Sequence, residues 1–306
     1  MISDTFKDVV RPRNQVIWLL LAFQGGFMNA GGFLAVQRFV SHITGYGTYV
    51  GVELGKKNYL GAFEMALAPL FFLAGAAYSG ILVDRRILNG REPMIVMGIM
   101  SLALINLFIY LAEFSGLLGI FGEPLRLQRD FFLLFCLCFA CGVQNGLFSG
   151  LTNGQVRTTH LTGPTTDIGL NLVKIFSLDR GDSRRQPLSS ANWLRVKVVL
   201  LFSLGSLIAL LVFETVTYEG FVVPCVISFF LVWHVRRVLR LAKEEGEGLL
   251  PVDSSVVGHE LHIARLAILV KHHERLIERH EQLLRSHGQL ADGAIDPRLT
   301  PDHAEG

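Results

Sequence analysis
The chain has 306 residues; 51% are hydrophobic, only 18% are charged, and the mean hydropathy is +0.43. Soluble domains carry about 25% charged residues, so long apolar runs decide the class of this chain more than its length does. A formal net charge of +2 gives no basis for a nucleic-acid partner.

Residues 1–14 form a polar N-terminal tail with Lys7, Arg11 and Arg13. It has no clean small-residue cleavage site, so it does not read as a secretory leader. A membrane helix needs about 20 mostly apolar residues, and 15–37 is the first such run. Next comes VSHITGYGTYVGVELGK at 40–56, which is short, polar and broken by glycine. Two further apolar runs, 59–83 and 94–113, close a first membrane repeat over 15–113. The run 131–153 opens a second repeat over 131–238 and contains LLFCLCFACG. Cys138 and Cys141 form a C-x-x-C there, but without nearby charge or a second pair they read as helix packing. No metal or cofactor is expected. TTHLTGPTTDIGLNLVKIF follows at 158–176, then the apolar runs 193–213 and 220–238. A polar linker (239–255), a helical pattern (256–290) and a disordered tail (291–306) complete the chain.

The two polar stretches match each other. His42, Thr44, Gly45, Thr48, Gly51, Leu54 and Lys56 align without a gap to His160, Thr162, Gly163, Thr166, Gly169, Leu172 and Lys174. Upstream, Gly26 and Asn29 pair with Gly142 and Asn145 after a two-residue length difference. Such identity argues for an internal duplication.

The basic clusters set an orientation. They lie in the N-terminal tail, at Arg85, Arg86 and Arg91, at Arg180, Arg184 and Arg185, and at Arg236, Arg237, Arg240 and Lys243. Placed together in the cytoplasm, they leave six crossings only if both polar stretches enter and leave on one side. Lys56 and Lys57 dissent, and Arg38, Arg126 and Arg129 do so more weakly. The expected fold is an all-α membrane protein with six transmembrane helices, two re-entrant half-helices and both termini cytoplasmic. Each repeat crosses an odd number of times, so the second sits inverted, an arrangement that builds sites where broken helices meet.

Thr44, Gly45, Thr162 and Gly163 are helix-start residues, and Pro164 suits a first turn. A half-helix N-terminus offers unpaired N–H groups and partial positive charge. His42 and His160 can exchange a proton near neutral pH. Asn29, Gln144 and Asn145 can hydrogen-bond a solute or bridge helices. These nine residues are the candidate binding site. Arg157 and Asp167 are a candidate charge pair, and Glu53 a candidate coupling acid, because ionisable groups within membrane segments are costly unless partnered.

The stretches GGFMNAGGFLAVQRFVSHITG and CGVQNGLFSGLTNGQVRTTHLTGPTTDIGLNL resemble the YoaK family of bacterial integral membrane proteins, also catalogued as DUF1275. The resemblance covers about 15–238, and its V-R-T-T-H-x-T-G is fairly specific. It implies a multi-pass protein of the bacterial inner membrane, sometimes labelled a permease, and names no substrate. Where the family's first helix typically has Asp-Ala this chain has Asn29-Ala30, and Tyr46 stands where Asn typically follows Thr-Gly. The missing acid weakens any coupling that relied on it.

In the tail, Leu269, Leu276 and Leu283 recur every seven residues, and His259, His273, His280 and His287 fall on another such series. This fits a homodimer contact sensitive to pH, a metal site, or a solvated helix edge. The expected function is a secondary transporter of a small polar or anionic solute across the lipid bilayer. The alternative is a membrane scaffold or sensor acting through the cytoplasmic helix. An intramembrane enzyme is not expected, since no nucleophile and base stand at plausible spacing.

Overall fold
A computed structural model describes residues 5–6, 8–123, 128–152 and 154–244. The C-terminal heptad segment therefore lies outside the described residues. Those described are helical: α1 (Pro12–Val36), α2 (Ile43–Gly55), α3 (Tyr59–Leu82), α4 (Asp84–Leu88), α5 (Ile95–Phe114), α6 (Gln128–Leu151), α7 (Thr162–Ser177), α8 (Arg185–Val216) and α9 (Val222–Glu244). Pro12 stands in the first turn of α1, where its missing N–H costs nothing. Gln37 stops α1 in the left-handed conformation, its N–H bonded to Phe33 O at 2.8 Å. Asn58 caps α3 by accepting from the Gly61 N–H at 3.1 Å.

Five stretches are long and apolar enough to cross a membrane: Pro12–Val36, Tyr59–Leu88, Ile95–Phe114, Phe131–Leu151 and Arg185–Glu244. The fifth is 60 residues long and spans two of the six expected runs. It is interrupted at Thr217, whose φ of 46° ends α8, and by a 3-10 turn over Thr217–Phe221. Both α2 and α7 are too short to cross, at 13 and 16 residues.

Two helix pairs hold the bundle together, α1 with α8 and α3 with α6. Each pair is parallel. Lys197 reaches Gln15 at 3.1 Å, Gly205 meets Phe23, and Phe213 packs on Phe27. Likewise Phe71 stacks on Phe135 at 4.6 Å, Gly75 meets Phe139, and Ser79 bonds Val143 O at 2.7 Å. By contrast α1 and α6 run antiparallel, with Trp18 on Phe148 and Leu137 near Gly32.

The tight crossings use one sequence pattern four times. Phe23-x-x-Gly26 on α1 faces Phe202-x-x-Gly205 on α8, and Phe139-x-x-Gly142 on α6 faces Phe72-x-x-Gly75 on α3. In each crossing, a Cβ on either glycine would collide with the carbonyl oxygen of the opposing phenylalanine. Backbones touch because both helices lack a side chain there, and dispersion contact with close packing replaces the hydrophobic drive that lipid cannot supply.

These directions fix the ends. Arg13 O contacts His234 Nε2 at 3.2 Å, Asp84 lies against Gly150, and Arg236 borders a cavity with Met94. The starts of α1, α5 and α8 and the ends of α3, α6 and α9 therefore gather at one end, with the described basic clusters. At the other end, Gly122 N–H bonds Ala35 O at 3.0 Å and Phe121 packs on Phe213 and Tyr218. Since α2 leads into the start of α3 and α7 into the start of α8, the two short helices point to opposite ends.

Candidate functional site
After α1 the chain turns back. Val40 packs beside Gly32, and Ser41 donates both its N–H (3.1 Å) and its hydroxyl (2.9 Å) to Asn29 Oδ1. His42 then opens α2. After α6 the same turn recurs: the Thr159 N–H donates to Asn145 Oδ1 at 3.4 Å, His160 follows, and α7 starts at Thr162. An asparagine on the preceding long helix thus anchors the residue before each motif histidine.

The two turns border one cavity of about 250 Å³. Asn29, Phe39, Ser41 and His42 line it from the first repeat. Thr159, His160, Leu161, Thr162 and Phe202 line it from the second. Neither α2 nor α7 has a side-chain cap at this end. Ser41 and Thr159 are buried, at 5% and 4% exposure, and Thr159 Oγ1 has no hydrogen-bond partner among the described residues. Its counterpart, Ser41 Oγ, is satisfied by Asn29.

Of the nine expected binding residues, Asn29, His42, His160 and Thr162 line the cavity. Gly45 lies against the His42 ring, where a side chain would crowd it, and Gly163 lies near Arg157. Thr44 is exposed on α2. Asn145 acts behind the wall, through Thr159. Gln144 is fully buried and does not reach the cavity. Its Nε2 donates to Thr158 Oγ1 at 2.9 Å and to Leu21 O at 2.8 Å, and its Oε1 accepts from Gln24 at 3.4 Å. Ser228 in turn donates to Gln24 Oε1 at 3.2 Å. Gln144 is therefore a strut that holds the second turn, not a wall residue.

The charge pair also needs correcting. Asp167 pairs with Arg195 on α8 at 3.4 Å, not with Arg157. One turn of α7 and the direction of α8 decide this, since α8 packs along α7 and presents Arg195 to it. Arg157 is exposed and borders a separate small cavity with Pro164 and Arg195. Glu53 is not at the site either. It sits at the far end of α2, bonded by Lys56 at 3.2 Å and Asn58 at 2.8 Å.

Ser41, Phe39, Thr159, Leu161 and Phe202 were not expected at the site. Ser41 and Thr159 directly precede the repeated histidines, and that position is the signal that could have found them. Cys136, Cys138, Cys141 and Cys225 are free thiols, and Cys138 and Cys141 are fully buried in the α6 core.

With helices and no strand among the described residues, and five such apolar stretches, the chain is a membrane protein. It belongs to the family described as "Protein of unknown function (DUF1275)", whose model matches residues 17–234. No protein of curated function and no solved structure matches the chain.

Proposed function
We propose that the chain is a secondary transporter of a small polar or anionic solute, bound between the two His-x-Thr-Gly turns. The observation that carries this reading is the shared cavity: two motif copies far apart in sequence line one space. Six crossings are made by α1, α3, α5, α6, α8 and α9, with α2 and α7 re-entrant from opposite faces. Support comes from the alternating directions of these helices and from the basic clusters gathered at one end, which is cytoplasmic by the positive-inside rule. The inverted repeat is supported by the exchange of partners, in which α1 packs on α8 as α6 packs on α3. The four F-x-x-G crossings and the two asparagine anchors follow the same exchange. Inverted repeats with broken helices are a recurrent transporter architecture, with the solute where the breaks meet.

Uptake of labelled small solutes by proteoliposomes tests the reading. A transported solute should enter with wild-type protein, and His42→Ala or His160→Ala should slow entry at least about tenfold, roughly 1.4 kcal/mol. Variants that keep full uptake would remove the histidine cavity from the path.

A further inference from the structure
Away from the two His-x-Thr-Gly turns, a groove runs between α3, α5 and α9. Its volume is about 650 Å³, and its wall includes Tyr78 of α3, Met94, Met97, Met100 and Leu104 along α5, and Arg236 of α9. Leu104 also lines the next cavity along α5, about 300 Å³, with Phe108, with Phe71 of α3 and with Cys136 of α6. The two follow one another up the flank of α5 as one groove. Met94, Met97, Leu104 and Phe108 are each more than one-third exposed, so the groove opens sideways, where a membrane protein meets acyl chains. Phe108 is 14 residues beyond Met94, about 21 Å along a helix. The hydrocarbon of one leaflet is about 15 Å deep, half of a core about 30 Å thick. The hydroxyls on the wall are already engaged. Ser101 donates to Met97 O at 2.9 Å, so in its 2.8 Å contact with Tyr78 it accepts. Arg236 is different: it stands at the Met94 end of the groove and makes no hydrogen bond or ion pair among the described residues. Residues 84–92 and 236–244, which flank that end, carry seven Arg or Lys against three Asp or Glu.

We propose that this groove holds an anionic phospholipid of the leaflet at the basic end. Its phosphate pairs with Arg236, and one acyl chain lies along Met97, Met100, Leu104 and Phe108. The long apolar wall with one cation at its end asks for a molecule built the same way, a long apolar chain with one anion at its end. A guanidinium can hold a phosphate through two parallel N–H donors. The surplus of basic residues at that end repels the ammonium of a zwitterionic headgroup and favours a net negative one. Methionines suit a flexible chain, because unbranched thioether side chains fill irregular gaps. An apolar helix of a second copy would cover the wall and leave Arg236 unanswered. A water-soluble anion would answer Arg236 and leave the wall uncovered.

Native mass spectrometry of the full-length protein, released from detergent after incubation with equal amounts of dioleoyl phosphatidylglycerol and dioleoyl phosphatidylcholine, tests this. Phosphatidylglycerol should stay bound where phosphatidylcholine is lost. Arg236→Gln should lower that preference about fivefold, the worth of one basic residue near an anionic headgroup. Arg240→Gln, in the same basic stretch but off the groove wall, should lower it less. Leu104→Trp, at a position 54% exposed, should fill the groove and reduce the bound phosphatidylglycerol, and Met97→Trp, at 45%, should do the same. Equal retention of the two lipids by the wild type would overturn the proposal. Equal losses from Arg236→Gln and Arg240→Gln would also overturn it, since they mark a diffuse attraction rather than a site. So would unchanged lipid binding in both Trp variants, or a change of oligomeric state in them, which would assign the groove to a second copy of the chain.

Discussion

Gly142 and Gly51 are both helical glycines, but they do opposite things. A Cβ on Gly142 would collide with the Phe72 carbonyl, which is backbone and cannot swing aside. A Cβ on Gly51 would meet no atom of another part of the described chain within 4 Å. Gly142→Ala should therefore push α6 off α3 and cost about 1–3 kcal/mol, read as a fall in the melting temperature in detergent. Gly51→Ala should be neutral or stabilise by up to about 1 kcal/mol. The ion pair gives a second test. Asp167 is half-exposed and Arg195 mostly buried, so their coupling should be about 1 kcal/mol or less. A double-mutant cycle of Asp167→Asn with Arg195→Gln should show that coupling, whereas Asp167→Asn with Arg157→Gln should be additive. Sequence alone could not choose between the arginines. Arg157 is ten positions from Asp167, and Arg195 is on another helix whose register only packing fixes. The same holds for Gln144, since an amide beside a motif reads alike whether it faces a cavity or a helix.

At the scale of the element, the turns before α2 and α7 depend on one side chain each. Asn29 takes two hydrogen bonds from Ser41, and Asn145 takes one longer bond from Thr159. Asn29→Ala leaves a buried N–H and hydroxyl without their acceptor, at about 1–3 kcal/mol. Faster amide exchange should appear across 38–45 and not across 156–163. Asn145→Ala should show the converse with a smaller change. The apolar helices and the breaks between them were legible in the sequence, because long apolar runs and the short polar stretches between them survive any packing. The F-x-x-G crossings were not. With 22 Phe and 31 Gly in the chain, the pattern is lost among many, and only the facing carbonyls single out four.

At the scale of the molecule, packing joins the site to the fold. α1 packs on α8 as α6 packs on α3, and the turns before the two short helices border one cavity. The departure from symmetry is local: Ser41 is bonded to its asparagine by N–H and hydroxyl, Thr159 by its N–H alone. The second turn is held in addition by Gln144, which donates to Thr158 Oγ1 at 2.9 Å. The central claim is that α2 and α7 enter from opposite faces, and the accessibility of single cysteines at their outer ends tests it most directly. Lys57→Cys and Arg180→Cys, each labelled with a membrane-impermeant maleimide on intact cells and on inverted vesicles, should react from opposite sides, Lys57→Cys from outside and Arg180→Cys from the cytoplasm. Reaction of both from the same side would contradict the inverted repeat and, with it, the shared site.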